Sequence, residues 1–273
     1  MPGPGAERGA GSDRPPRRRG GDAVATDGSP GFGTPPDLAG IDVVIFDKDG
    51  TLIDFHAMWG GWARELGTRL EATARRPVSP DVFAAIGFDP TTGRVSARGP
   101  LASSTMAGIQ DVVEAVLRRW CPSVAAARRA TEAAWYIPDP VALAAPLADL
   151  PALCDALRRG GRRLAVVTTD DRAPTDATLR ALGVRTQVEA MVCGDDGFEM
   201  KPAPDPVFAV CQALVSEPQR VAVVGDSPAD LAMGRAAGAG LVVGVLSGVG
   251  TAADLAAADV ILGSVQELFA PQG

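Results

Sequence analysis

Asp47 and Asp49 stand two residues apart in Asp47-Lys48-Asp49-Gly50-Thr51, directly behind a short apolar run. In a segment that is still extended, this spacing turns both carboxylates to the same side. A carboxylate can attack phosphorus and form an acyl phosphate, or it can give and take a proton as a general acid and base. Three further stretches end comparable apolar runs with polar groups: Thr168-Thr169-Asp170-Asp171, Lys201-Pro202, and Gly225-Asp226-Ser227-Pro228-Ala229-Asp230. Ligands of open parallel sheets bind outside the carboxyl ends of the strands. If these runs are strands of one such sheet, Asp47, Asp49, Asp226 and Asp230 meet a hydroxyl pair and an amine along one edge. Carboxylates facing a phosphate dianion repel it, so the set requires a cation. Mg²⁺ suits it, being held by one or two carboxylates together with phosphate and water.

The pattern of apolar residues supplies the elements that such a site needs. Residues 41–46 and 164–167 read as buried parallel strands, as do 188–193, 221–224, 241–246 and 260–262. Helices are expected near 150–159, 175–182, 206–214, 229–237 and 252–257, several ending at glycine. Strands alternating with helices mean βαβ units and a parallel sheet. Residues 55–147 break the rhythm. Met58, Trp62, Leu66 and Leu70 recur every four residues as on an amphipathic helix, Ile109 to Leu117 and Val124 to Trp135 suggest two more, and Asp89–Arg98 suggests a small hairpin around Thr92-Gly93. The reading is an α/β fold, a Rossmann-like parallel sheet flanked by helices, with an inserted and mainly helical second domain. Its parts are a disordered tail at 1–37, a core of 38–54 plus 148–273, and the insert at 55–147.

Composition narrows the classes. The chain has 273 residues, 46 % of them hydrophobic but only 5 % aromatic, so alanine and valine do much of the packing. Mean hydropathy is +0.10. A net charge of −7 argues against nucleic acid and anionic membranes as partners, and no apolar run approaches the length of a membrane span. The single histidine, His56, removes metal sites built on several imidazoles. Cys121, Cys154, Cys193 and Cys211 form no CxxC pair and read as reduced core thiols of a cytoplasmic protein. Of 26 basic residues 24 are Arg, and both lysines, Lys48 and Lys201, lie inside the motifs. In such a chain Lys201 reads as a compact point charge kept for its geometry. Residues 1–37 carry 9 Gly and 7 Pro, too polar and broken to offset the entropy of ordering. Arg17-Arg18-Arg19 are followed by Gly-Gly-Asp and not by the apolar stretch of an export signal.

The four stretches, in this order, resemble the motifs of the haloacid-dehalogenase superfamily: DxDGT at Asp47 to Thr51, the hydroxyl residue at Thr168, the lysine at Lys201 and GDSxxD at Gly225 to Asp230. An insert directly after the first motif is similar to that superfamily's C1-type cap, and the nearest subgroup is the phosphoglycolate-phosphatase-like hydrolases. The resemblance implies a Mg²⁺-dependent phosphatase acting on small phosphorylated metabolites through an aspartyl-phosphate. It implies Asp47 as nucleophile and Asp49 as general acid and base. Thr168 or Thr169 and Lys201 would hold the phosphoryl oxygens. Asp47, the main-chain carbonyl of Asp49 and Asp226 would hold the metal, supported by Gly50, Thr51 and Asp230.

Each motif alone has an ordinary structural reading. Gly225 to Pro228 suits a strand end, an N-cap and a proline in the first helical turn, and Thr168-Thr169 suits a cap. Lys48, at the variable position of DxDGT, is read either as a site residue or as a solvated turn residue. His56 and Trp59 read first as packed hinge residues and otherwise as substrate contacts, Asp195, Asp196 and Glu199 as a solvated loop, and Trp59, Trp62, Trp120 and Trp135 as core of the insert. Insert residues such as Arg64, Arg94 or Arg98 could recognise an acidic substrate, but in a chain with 24 arginines each reads first as a surface charge. A phosphomutase keeps all the motifs, and a catalytically silent binding protein shares the fold, so both stand as alternatives. A 2-haloacid dehalogenase has no use for Asp49.

Overall fold

The computed structural model describes Gly3, residues 31–33 and residues 35–269. The described elements are, in chain order, β1 (Gly31–Phe32), β2 (Val43–Phe46), α1 (Phe55–Ala74), α2 (Ser79–Ile86), α3 (Pro100–Ser103), α4 (Met106–Leu117) and α5 (Val124–Ala134). The chain returns through α6 (Leu150–Arg159), β3 (Arg163–Val167), α7 (Arg172–Ala181), β4 (Val188–Val192), α8 (Asp205–Leu214), β5 (Val221–Gly225), α9 (Pro228–Ala237), β6 (Leu241–Val245) and β7 (Val260–Leu262). All pairings are parallel, in the order β1-β7-β6-β5-β2-β3-β4.

Alternation along the strands divides the core into two faces. Val44, Phe46, Leu164, Val166, Ala222 and Val224 pack beneath α6 and α7, against Leu150, Leu153, Leu157 and Leu179. Val43, Ile45, Ala165, Val167, Val221 and Val223 face α8 and α9, against Val207, Val210, Leu214 and Met233. Two of the flanking helices start at a side-chain cap. Asp149 accepts the Ala152 N–H at the head of α6, and Ser227 and Asp230 cap α9 reciprocally.

Helices α1, α2, α4 and α5 surround a core of their own, centred on Trp62, Leu66, Leu70, Ile86 and Leu117. Trp62 meets Trp59 and Trp135 edge-on at 5.5 and 5.4 Å and donates its indole N–H to the Tyr136 carbonyl at 3.0 Å. Trp120 is no part of that core; it is 37 % exposed and bonds outward to Asp81. The two strands of chain linking this cluster to the sheet are hydrogen-bonded side by side: Leu147 N–H to the Leu52 carbonyl at 3.0 Å and Asp54 N–H to the Ala145 carbonyl at 2.8 Å. Among the described residues no helix is long and apolar enough to cross a membrane.

Local expectations are corrected in three places. Gly31–Phe32, inside the stretch read as a structureless tail, pairs with β7 as an edge strand. A sheet edge offers free N–H and C=O groups to any extended segment, with no side-chain signature needed. Most of the rest of the tail, including Arg17 to Arg19, lies outside the described residues. Residues 252–257 form turns and not a helix. Thr251 and Asp254 cap a single turn there, but Asp259 already bonds back to Val242. Between α2 and α3 the expected hairpin reduces to one antiparallel bridge, Phe88 with Val95.

Candidate active site

The chain leaves β2 toward β3 and β4 on one side and later crosses back to β5, β6 and β7 on the other. The end of β2 is therefore the topological switch point, where parallel sheets bind ligands. Asp47 follows β2 directly and donates its N–H to the Val224 carbonyl on β5 at 2.9 Å. The chain then folds tightly, with the Lys48 carbonyl accepting from Leu52 and Ile53 at 2.9 and 3.1 Å. Gly50 makes the turn possible with a φ of +92°. A Cβ at Gly50 or at Gly248 would overlap the Asp226 carboxylate, so two glycines clear the space around that side chain. Asp226, following β5, accepts from the Thr51 hydroxyl at 3.3 Å and the Val249 N–H at 2.8 Å.

Both lysines are buried and each lies between two carboxylates. Lys201 Nζ is 2.5 Å from Asp47 Oδ1 and 2.6 Å from Asp230 Oδ1. The other oxygen of Asp230 accepts the Ser227 hydroxyl and N–H at 2.6 and 3.1 Å, so the carboxylate that caps α9 also fixes the lysine. Lys48 Nζ is 2.8 Å from Asp49 Oδ2 and 3.0 Å from Asp170 Oδ2. Burial alone would lower the pKa of each lysine, but the flanking carboxylates outweigh it and raise both. Burial of Asp47, reinforced by Asp230 and Asp49 and opposed by Lys201, pushes its carboxyl up to about 7. Burial, with Asp47 and Asp230 close by, raises Asp226 well above the ordinary carboxylate range.

One cavity gathers Asp47, Asp49, Thr168, Thr169, Lys201, Asp226 and Asp230. Both threonines reach it, and Thr168 is buried with its hydroxyl accepting from the Asp170 N–H at 3.1 Å. Gly50 and Thr51 support from the turn behind. Carboxylate oxygens of Asp47, Asp226 and Asp230 lie within 4.8 Å of one another. Such hard oxygen donors suit Mg²⁺, and Gly50 and Gly248 let the Asp226 carboxylate sit among them. Asp49 Oδ1 is buried without a partner, an acceptor left open toward chemistry.

Sequence reasoning left Lys48 undecided and did not single out Asp170. The signal was the composition itself, since a lysine in an arginine-rich chain is selected for something an arginine cannot do. Trp59 is packed in the core of the insert, as expected, and at the same time lines the cavity. His56 faces a separate groove with Gly60, Arg64 and Arg94. Asp195 and Glu199 are exposed on a loop, as expected, and Asp195 and Asp196 bind the Arg172 N–H and guanidinium at the head of α7.

Residues 41–238 match the family model for haloacid dehalogenase-like hydrolases. The chain belongs to this family. Over 117 residues it is 39 % identical to the phosphoglycolate phosphatase of Rhodospirillum rubrum, covering 43 % of this chain and 48 % of that protein. The chain thus matches about half the length of that relative. Over 197 residues it is 27 % identical to the phosphoglycolate phosphatase of Aquifex aeolicus, covering 72 % of this chain and 81 % of that one. The solved structure of CbbY from Rhodobacter sphaeroides in complex with phosphate superposes with a TM-score of 0.55 at 26 % identity, covering 84 % of this chain and 96 % of that one.

Proposed function

We propose that the protein is a Mg²⁺-dependent phosphatase of small phosphorylated metabolites that works through an aspartyl-phosphate on Asp47. The observation that carries this reading is the arrangement of Asp47 against Lys201 in a cavity shared with Asp49, Thr168 and Asp226. The names of the two curated relatives and the phosphate held by the CbbY structure support it.

An Asp47 oxygen attacks phosphorus as the ester P–O bond breaks. The departing oxygen takes a proton from Asp49, whose unpartnered Oδ1 faces this task. Water then attacks phosphorus and gives its proton to Asp49, the acyl phosphate bond breaks, and free phosphate leaves Asp47 regenerated. Lys201 and the Thr168 and Thr169 hydroxyls hold the phosphoryl oxygens through both transfers. When bound by Asp47, Asp226 and the main-chain carbonyl of Asp49, magnesium supplies positive charge that lets carboxylates and a phosphate dianion share one site. Asp230 serves by holding Lys201.

Residues 55–147 act as a cap over a core formed by 38–54 and 148–273. The cap excludes water during transfer and keeps polymers out. Four free cysteines, three of them buried, fit a reducing compartment such as the cytoplasm.

Phosphate release from p-nitrophenyl phosphate and a panel of phosphometabolites, with Mg²⁺ or with EDTA, tests the reading. Turnover that needs Mg²⁺ is expected. Transfer of the phosphoryl group within a substrate without net phosphate release would identify a phosphomutase, and silence toward every compound would identify a binding protein.

A further inference from the structure

One continuous apolar cluster contributes a wall to the cavity that holds Asp47 and Lys201. Phe55 and Trp59 of α1, Leu101 of α3, Met106 and Ile109 of α4, and Val249 form that wall, and all six are buried. Ser103 and Ser104 also reach it, and the Ser103 hydroxyl is committed to the Gly99 carbonyl at 3.0 Å. Among the described residues the sole cation lining the cavity is Lys201, already held between Asp47 and Asp230.

No arginine of the insert lines the cavity, the three candidates Arg64, Arg94 and Arg98 included. Arg64 donates to the Pro90 carbonyl at 2.8 Å and stacks 5.1 Å over Phe88. Arg98 is largely exposed and lies 3.8 Å from Asp254. Arg94 lines the separate groove beside His56. A carboxylate on the leaving group would meet an apolar wall without a counter-ion, on the same cavity as Asp47, Asp49, Asp226 and Asp230. Burying an unpaired charge there is costly, whereas an apolar or hydroxylated body gains from the same wall.

We propose that the substrate is a phosphomonoester of an uncharged, largely apolar alcohol, and that phosphoglycolate, the substrate named for the curated relatives, is disfavoured. This rests on the phosphatase reading above and specifies which substrates that site takes.

The test compares kcat/KM of the full chain, Arg17 to Arg19 included, for 2-phosphoglycolate and for isobutyl phosphate. Isobutyl phosphate has the same heavy-atom branching but carries methyl groups in place of the carboxylate oxygens. Benzyl phosphate and p-nitrophenyl phosphate serve as further uncharged leaving groups. The expected result is a preference of at least about tenfold for isobutyl phosphate over phosphoglycolate. Ser104→Arg, which adds a guanidinium to the wall, should shift that ratio toward phosphoglycolate at least about fivefold. Equal or greater turnover of phosphoglycolate by the unaltered protein would overturn the inference while leaving the phosphatase reading intact. No turnover of any of the four compounds, p-nitrophenyl phosphate included, would sink both.

Discussion

At the scale of single residues, two lysines organise the carboxylates that would otherwise repel one another. Lys48 is wholly buried between Asp49 and Asp170, so removing its charge strands two carboxylates in the interior. Lys48→Met should therefore cost about 3–5 kcal/mol in urea unfolding. It should also lower kcat about tenfold or more while changing KM little, because the side chain holds Asp49 and does not line the cavity. An unchanged kcat would mean that Asp49 needs no such support. Gly50 is constrained twice, by its φ of +92° and by the Asp226 carboxylate against it. Gly50→Ala should cost about 1–2 kcal/mol and displace Asp226, visible as a loss of Mg²⁺-dependent activity larger than the loss of stability. Residue types and spacing made Asp47, Asp49, Lys201 and Asp226 legible from the chain alone. Lys48 stayed ambiguous because its burial depends on Asp170, more than a hundred residues away, and no local pattern reports such a partner.

At the scale of elements, capping and burial decide which segments hold the site still. The Ser227 and Asp230 capping box starts α9 and fixes Lys201 at the same time. Ser227→Ala should remove about 1 kcal/mol of stability, and activity should fall more than that change explains, since Asp230 loses its anchor. Cys154 in α6 and Cys193 after β4 show the other effect of packing. Burial pushes their thiols up to about 11 and about 12. The thiolate is the reactive form, so at pH 8 both should resist iodoacetamide in the native protein and react only on unfolding. Mass spectrometry of the alkylated protein reads this directly. The interior strands were legible as unbroken runs of valine, isoleucine and alanine. The two-residue β1 was not, because an edge pairing uses backbone groups and asks nothing of the side chains. Helix α2 was missed because its eight residues are too few to show a period.

For the molecule as a whole, the sheet order brings together residues from opposite ends of the chain. Asp47 and Asp226 are separated by 179 positions and become neighbours because β2 pairs with β5. The alternation of strands and helices implied a parallel sheet, but the order of its strands is a property of long-range packing and was not read from the pattern. The helical insert was legible as a break in that alternation. Its apolar wall over the site was not, since the same residues read equally well as packing. If the carboxylates form a metal site, millimolar Mg²⁺ should raise the melting temperature by about 5 °C through binding to the folded state alone. Asp226→Asn should abolish most of that rise, whereas an equal rise in the variant would place the ion elsewhere.

The central claim, that Asp47 carries the phosphoryl group, is tested most directly by catching it. The protein would be mixed with Mg²⁺ and a turned-over phosphomonoester, quenched in acid within milliseconds, digested and read by mass spectrometry. A phosphate on the peptide bearing Asp47, absent from Asp47→Asn and decaying at the rate of turnover, is the predicted result. Full turnover by Asp47→Asn, or a phosphate carried by any other residue, would contradict the account.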